Sequence, residues 1–293
     1  MKLLARAPGK VNLSLFVGPL REDGRHEVAT LIESVSLADE LSVDVGVGAD
    51  EVVCPGVSGP NIVSRAVSGL RERGWEAPAV SVAIRKLVPV AGGMGGGSAD
   101  AAAFLRVAAS VAPVRAGAVA ELAAELGADV PSQLAPGLAL GTGAGEVVQR
   151  RAPLGPHAYV IVPLPHLLSA AEVYREADRL GLPRGSGEFA TVASALASRA
   201  NPGAVLGSEL VVNDLAPAAV SLCPAIDAVL EAVRAAGADH ALVSGSGPTV
   251  AGLFWGDDAG RRAAGAASAV ARRYPGACSA VPVGEEFGIP VRM

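Results

Sequence analysis

Residues 89–100, Pro89-Val-Ala-Gly-Gly-Met-Gly-Gly-Gly-Ser-Ala-Asp100, place five glycines in six positions between a β-like run over 80–88 and an Ala-rich helical run over 99–109. Such a backbone, bare of side chains at the mouth of a helix, suits a phosphate. Free N–H groups and the positive end of the helix dipole converge there. Glycine also permits positive φ and lets an anion approach the main chain closely. The stretch therefore implies a nucleotide, with a triphosphate as the natural candidate. A flexible linker would explain the glycines but not their place between a strand pattern and a helix opened by Ser98.

The spacing excludes two common phosphate loops. A Walker A loop closes on Gly-Lys-Ser/Thr, whereas Gly97 is followed by Ser98 and Ala99. The dinucleotide fingerprint needs glycines at offsets 0, 2 and 5. Counted from Gly93 the last falls on Ser98, and counted from Gly95 on Asp100. A nicotinamide-dependent oxidoreductase fails on that spacing.

A chain of 293 residues exceeds one small core, so two domains are expected, 1–152 and 153–293, divided near the charged, proline-bearing stretch 150–156. Apolar residues make up 51% and charged residues 18%, the composition of a packed globular chain. The net charge of −5 and the lack of a Lys/Arg run argue against nucleic acid as a partner. Cys54, Cys223 and Cys278 are odd in number and show no metal-ligand spacing, so they read as buried thiols of a reducing cytoplasm. No signal peptide is expected, because Arg6 and Lys10 interrupt any apolar core at the start. The longest stretch free of Asp, Glu, Lys and Arg, 152–171, contains Pro153, Pro156, Pro163 and Pro165, and no membrane span is expected. With 21 arginines against three lysines, Lys2, Lys10 and Lys86, a lysine inside a motif marks a need for a compact ammonium.

Periodicity predicts strands over 2–6, 11–17, 29–36, 40–47 and 80–88, and helices over 61–74, 99–109 and 118–126, the last closed by Gly127. A strand pair is expected around 137–145. Farther on, strands are expected at 158–162, 241–243, 249–255 and 280–283, with helices at 170–180, 225–236 and 258–273. Residues 183–203 read as a loop with a short helical insert. Strands and helices interleave without a βαβ repeat, so the fold class is α+β.

Three segments stand out together: Ala7-Pro-Gly-Lys-Val-Asn-Leu13, the loop 89–100, and Val243-Ser-Gly-Ser-Gly-Pro-Thr249. In this order and at these separations the trio resembles the superfamily of galactokinase, homoserine kinase, mevalonate kinase and phosphomevalonate kinase. The segments Arg21-Glu-Asp-Gly-Arg-His-Glu27, Val35-Ser-Leu-Ala-Asp-Glu40, Leu126-Gly-Ala-Asp-Val-Pro131, Thr142-Gly-Ala-Gly-Glu146, Val173-Tyr174 and Asn213-Asp214-Leu215 narrow the match. They point to the branch that phosphorylates the 2-hydroxyl of 4-diphosphocytidyl-2-C-methyl-D-erythritol in non-mevalonate isoprenoid synthesis. The resemblance spans nearly the whole chain. It implies a two-domain fold, with a first domain like ribosomal protein S5 domain 2 and a ferredoxin-like second domain.

The resemblance also implies roles. From spacing alone, Asp129 is an acidic partner for a helix beginning near Pro131, with Val130 held extended by the proline; by resemblance it is the catalytic base. Lys10 alone would read as a surface lysine, but the resemblance sets it beside Asp129 and the acceptor hydroxyl, where a cation favours the deprotonated alcohol. Pro89, Val90, Ala91, Gly92, Gly93, Met94, Gly95, Gly96, Gly97, Ser98 and Ala99 are expected to hold ATP, with Ser98 capping the helix and reaching Mg²⁺ or a phosphate. Asn12, Arg25, His26, Ser246 and Gly247 are expected at the acceptor, and no protein metal ligand is assigned. The Ser244–Gly247 turn reads equally as a plain hairpin turn. Arg25 stands where the family usually carries a tyrosine that stacks on cytosine, and its guanidinium plane offers a substitute. A second aromatic wall is expected from Tyr174 or Phe189. The expected partner is a small molecule, and the protein a cytoplasmic monomer or homodimer. A homoserine- or mevalonate-type kinase, or a non-catalytic nucleotide and sugar sensor on the same fold, are the alternatives.

Overall fold

The alternation of apolar residues near the start builds one continuous strand where two were expected. A computed structural model describes residues 1–57 and 59–293. In it β1 (Lys2–Leu20) pairs antiparallel with β2 (His26–Val45). The register shifts between Pro8 and Lys10, Asn12 and Ser14, and Val17 and Leu20. Such bulges bend a long strand without breaking it, which is why the pattern reads as interrupted.

The chain continues through β3 (Glu51–Val53), α1 (Ile62–Glu72), β4 (Val80–Arg85), α2 (Gly96–Val111), α3 (Ala118–Leu126), α4 (Val130–Gln133), β5 (Leu138–Thr142) and β6 (Val147–Arg151). Then follow β7 (His157–Val162), α5 (Ala170–Leu180), α6 (Ser186–Arg199), α7 (Ala216–Leu222), α8 (Ala225–Ala235), β8 (His240–Val243), β9 (Val250–Trp255), α9 (Ala259–Ala271), β10 (Cys278–Ala280) and β11 (Val291–Arg292). Residues 183–203 thus hold a 14-residue helix rather than a loop with a short insert. Phe189, Val192, Ala193 and Leu196 form the apolar stripe of α6, but only Leu196 is fully buried and the alanines around the helix blur the contrast between its faces.

Among the described residues the strands form two sheets. The first runs β11-β1-β2-β4-β3, with β5 joined to β2 and β6 to β5, and only β3 and β4 are parallel. The second runs β10-β7-β9-β8, antiparallel throughout. That order, fourth-first-third-second along the chain, is the split βαβ arrangement of ferredoxin-like folds. The α+β class follows directly.

Three apolar layers hold the assembly. On one side of the first sheet, Leu41, Val43, Val80, Val82 and Ile84 pack on α1, α2 and α3 through Val63, Leu70, Phe104 and Leu122. One face of β7 and β9, carrying Val160, Val162 and Phe254, packs on α8 and α9. Their alternate residues Tyr159, Ile161, Ala251 and Leu253 meet Val11, Leu13, Leu31 and Val35 of the first sheet. Strand alternation therefore makes a face-to-face seam between the sheets. Burying each large side chain there contributes about 1.5–3 kcal/mol before entropy. Of the three cysteines expected to be buried, only Cys223 is; Cys54 and Cys278 are half-buried.

Candidate active site

The phosphate loop acts through its backbone. Gly95, in the left-handed region at φ 65°, is the N-cap of α2 and offers no side-chain cap. The helix begins at Gly96, so Ser98 lies in its first turn and is not the cap expected from sequence. The first intrahelical bond runs from Ala99 N–H to Gly95 O at 2.8 Å. The N–H groups of Gly95, Gly96, Gly97 and Ser98 thus have no acceptor within the helix. Together with about half a unit of positive charge from the dipole, they suit an anion. Gly93, at φ 77°, is glycine for a second reason. A Cβ there would overlap the Ser244 carbonyl oxygen and lie 2.8 Å from Gly247 N.

This loop lines a cavity of about 390 Å³, through Pro89, Val90, Ala91, Gly92, Gly93, Gly95, Gly96, Gly97 and Ser98. Met94 and Ala99 turn their side chains into the apolar layers instead. Sequence reasoning missed the far wall, which includes Asn61, Lys86 and Asp100. There the Lys86 ammonium is shared between Asp100 Oδ2, at 2.7 Å, and Asp39. Asp39 also accepts from the Val88 N–H at 2.8 Å, which pins the entry to the loop. Burial pushes the Asp100 carboxyl up to about 7 against the pull of Lys86, and its Oδ1 has no hydrogen-bond partner. The scarcity of lysine that marks Lys10 marks Lys86 equally. No sequence spacing links it to Asp39 or Asp100.

A second cavity of about 320 Å³ shares Gly93, Gly95 and Ser98 with the first and adds Lys10, Asn12, Thr30 and Asp129. Lys10 Nζ donates to Asn12 Oδ1 at 2.6 Å and to Gly93 O at 2.8 Å, and it stands 3.9 Å from Asp129 Oδ2. Asn12 is oriented in turn by its donation to Thr30 Oγ1 at 2.8 Å. Asp129 is the N-cap residue of α4 but makes no side-chain cap bond, so its carboxylate is not spent on the helix end. Val130 is helical, not extended, because Pro131 occupies an early helical position where its missing N–H costs nothing. At this separation the Lys10–Asp129 attraction lies between about 1 kcal/mol in water and about 4 kcal/mol in a partly screened site. With Asp129 43% exposed the lower end applies, and the pair yields readily to a substrate. Ser246 and Gly245 line this cavity, whereas Gly247 sits behind it, bonded to Ser244 O at 2.9 Å.

Tyr174 and Ala144 line both this cavity and a third of about 400 Å³, which adds Arg25, His26, Arg175 and Asp178. Tyr174 and His26 stack with their rings 5.8 Å apart and 13° from parallel. The His26 side chain is 7% exposed. Its Nδ1 faces Gly18 O at 2.9 Å. Nε2 lies 2.9 Å from Asp178 Oδ1 but out of line for a hydrogen bond, so it remains unpartnered. The Arg25 guanidinium is drawn to Asp23, at 2.8 and 3.1 Å. Phe189, the other candidate aromatic wall, packs against Gly18 and the seam between the sheets.

The match to known families follows the same geometry. Residues 61–137 match the GHMP kinases N terminal domain and residues 191–273 the GHMP kinases C terminal domain. The 4-diphosphocytidyl-2-C-methyl-D-erythritol kinase of Anaeromyxobacter sp. (strain K) is 41% identical over 293 residues, covering 97% of this chain and 90% of that protein. The chain belongs to the GHMP kinases, in the 4-diphosphocytidyl-2-C-methyl-D-erythritol kinase family. Its relative of the same name from Kineococcus radiotolerans is 44% identical over 275 residues, covering 89% of this chain and 84% of that protein. The crystal structure of a 4-(cytidine 5'-diphospho)-2C-methyl-D-erythritol kinase superposes with a TM-score of 0.73 at 33% identity, over 96% of this chain and 99% of that one. As a GHMP kinase, the protein is an ATP-dependent small-molecule kinase.

Proposed function

We propose that the protein transfers the γ-phosphoryl group of ATP to the 2-hydroxyl of 4-diphosphocytidyl-2-C-methyl-D-erythritol, giving the 2-phosphate and ADP for non-mevalonate isoprenoid synthesis. The observation that carries this reading is the series of three joined cavities: a phosphate loop, a lysine–carboxylate centre, and an outer pocket walled by Tyr174 and His26. ATP lies along the first with its phosphates at the α2 N-terminus. The acceptor alcohol enters the second, and the cytosine reaches the third. There Tyr174 offers a stacking face and the unpartnered His26 Nε2 a contact to the base edge. Arg25 adds a cationic rim in place of the family's usual tyrosine.

In the transfer, Asp129 takes the proton of the 2-hydroxyl while its oxygen bonds to the γ-phosphorus. The bond from that phosphorus to the bridging oxygen breaks, and ADP carries the electron pair away. The transition state is loose, so alignment and charge neutralisation dominate. Lys10 neutralises charge at the acceptor oxygen, and the α2 N–H groups do so at the phosphates. Among the described residues no group of three or more His, Cys, Asp or Glu stands ready to hold a metal. Mg²⁺ typically keeps several waters and binds phosphates with one or two carboxylates. Ser98, Asp100 and Asp129 border the two cavities that share the loop and would hold the ion, which would lower the charge on the triphosphate.

We place the two domains at 1–152 and 153–293 and the protein in the cytoplasm, where its unpaired Cys54, Cys223 and Cys278 remain reduced. Among the described residues no helix is long and apolar enough to cross a membrane. A monomer or a homodimer is the expected assembly, with a small molecule as the partner. The test is ADP release with the cytidylyl-methylerythritol acceptor beside homoserine and mevalonate. Turnover with the first alone is expected. Turnover only with one of the others would assign Arg25 to a different acceptor and overturn the substrate.

A further inference from the structure

Behind the catalytic strands lies a buried polar cluster that the transfer does not use. In the register of β1 and β2, Val11 faces Glu33, flanked by the pairs Lys10–Ser34 and Asn12–Ile32. Side chains alternate along a strand. With Lys10 and Asn12 turned into the reaction cavity, Glu33 turns to the opposite face, toward the second sheet. There Glu33 Oε2 lies 2.6 Å from His157 Nε2 and accepts from the Tyr159 hydroxyl at 2.5 Å. His157 Nδ1 lies 2.7 Å from Gly155 O. The side chains of His157 and Glu33 are each 3% exposed.

A carbonyl oxygen only accepts, so His157 Nδ1 carries a hydrogen. Nε2 also lies 3.1 Å from the Tyr159 hydroxyl, but that hydroxyl gives its hydrogen to Glu33 at 2.5 Å, so Nε2, 2.6 Å from the carboxylate, carries another. Both ring nitrogens are then donors, which is the imidazolium form. We propose that Glu33 and His157 are positioning residues, a proton-held latch between the two sheets that fixes the Lys10–Asn12 stretch of β1 and releases it when His157 loses its proton.

The groups that face the ring are few. Glu33 comes from β2 and Tyr159 from the histidine's own strand, while β9 contributes the uncharged Trp255 ring, 4.8 Å away. Burial pulls the His157 ring down, but Glu33 and the Gly155 carbonyl outweigh it, and the net shift is upward from the ordinary 6.5. The sign follows. A histidine whose folded pKa is raised adds stability that is fully present below 6.5 and is lost as pH rises through the folded value. Breaking the pair from one side strands a buried charge, the costly way to lose it.

Ring ¹⁵N spectra of the wild-type protein at pH 6, below the ordinary value of 6.5, test the latch first. Two protonated nitrogens on His157 are expected; a neutral tautomer would overturn the proposal. Glu33→Gln keeps the shape but not the charge, and it should lower the unfolding midpoint by roughly 5–15 °C and move the His157 titration to lower pH. Should that variant fail to fold, the wild-type ring spectrum and its pH titration still decide. The link to turnover rests on the kinase reading. The wild-type kcat should fall on the alkaline side together with the His157 titration, with KM for ATP little changed, and Glu33→Gln should shift that limb downward. A flat kcat across a measured His157 titration would sink the coupling to the site. Absence of any kinase activity would instead strike the functional reading, leaving the spectra and melting data to judge the latch.

Discussion

Asp129, with a side chain 43% exposed, is open to a substrate, whereas Lys10, at 5%, is fenced by Asn12 and Gly93. That difference suits a base that must reach and a cation that must hold still. Asp129→Asn keeps the volume and removes the proton acceptor. It should lower kcat by about 10²–10⁴-fold while calorimetry shows ATP binding intact, and near-normal turnover would remove Asp129 from the role of base. Lys10 was visible in the sequence because lysine is scarce, and Asp129 because its motif is specific to a family. Tyr174 and Phe189 cannot be told apart in the sequence; in the structure Tyr174 lines the outer cavity and Phe189 packs between the sheets. Glu33 and His157 left no trace at all. They lie 124 positions apart, and no local pattern reports a pair that only tertiary packing creates.

The phosphate loop and α2 show what glycine does at an element boundary. Gly93 combines a left-handed backbone with a contact to the 244–247 turn that leaves no room for a Cβ. A methyl group there meets a backbone penalty of about 1–2 kcal/mol and must also push the turn away. Gly93→Ala should therefore leave a folded protein whose kcat/KM for ATP is down by about 10²-fold, the usual cost of an ångström-sized misplacement at a reacting centre. Steady-state kinetics at varied ATP would read this; wild-type values would show that the turn is not coupled to the loop. Elements with a clear signal at one end are legible to the residue. α3 stops at Gly127, and α5 opens on a capping box of Ser169 and Glu172. By contrast α6 opens on Gly185 with no side-chain cap, and its stripe of Phe189, Val192, Ala193 and Leu196 is set among alanines and serines that dilute the period.

The two sheets share a single apolar seam, so neither is expected to melt alone. Leu253, fully buried in that seam among residues from both sheets, reports on it. Leu253→Ala should cost about 2–5 kcal/mol and lower the midpoint of one cooperative transition by roughly 5–15 °C. Two separated heat-capacity peaks would mean that the sheets unfold independently. The α+β class could be read from the interleaving of strands and helices. The return of the chain end to β1 could not, because β11 is two residues long and so short a strand carries no period.

The outer pocket differs from everything else in the site by where its walls come from. Arg25 lies in the turn between β1 and β2, and Tyr174, Arg175 and Asp178 project from α5; only Tyr174 is deeply anchored, against the second core layer. Rim substitutions there disturb neither the seam nor the phosphate loop. A change at the rim therefore alters how the far end of the acceptor is held, while the residues around the Lys10–Asp129 centre stay as they are. Arg25 sits at that rim, half-exposed and tied to Asp23, where its swap for another side chain leaves the phosphoryl-transfer residues untouched.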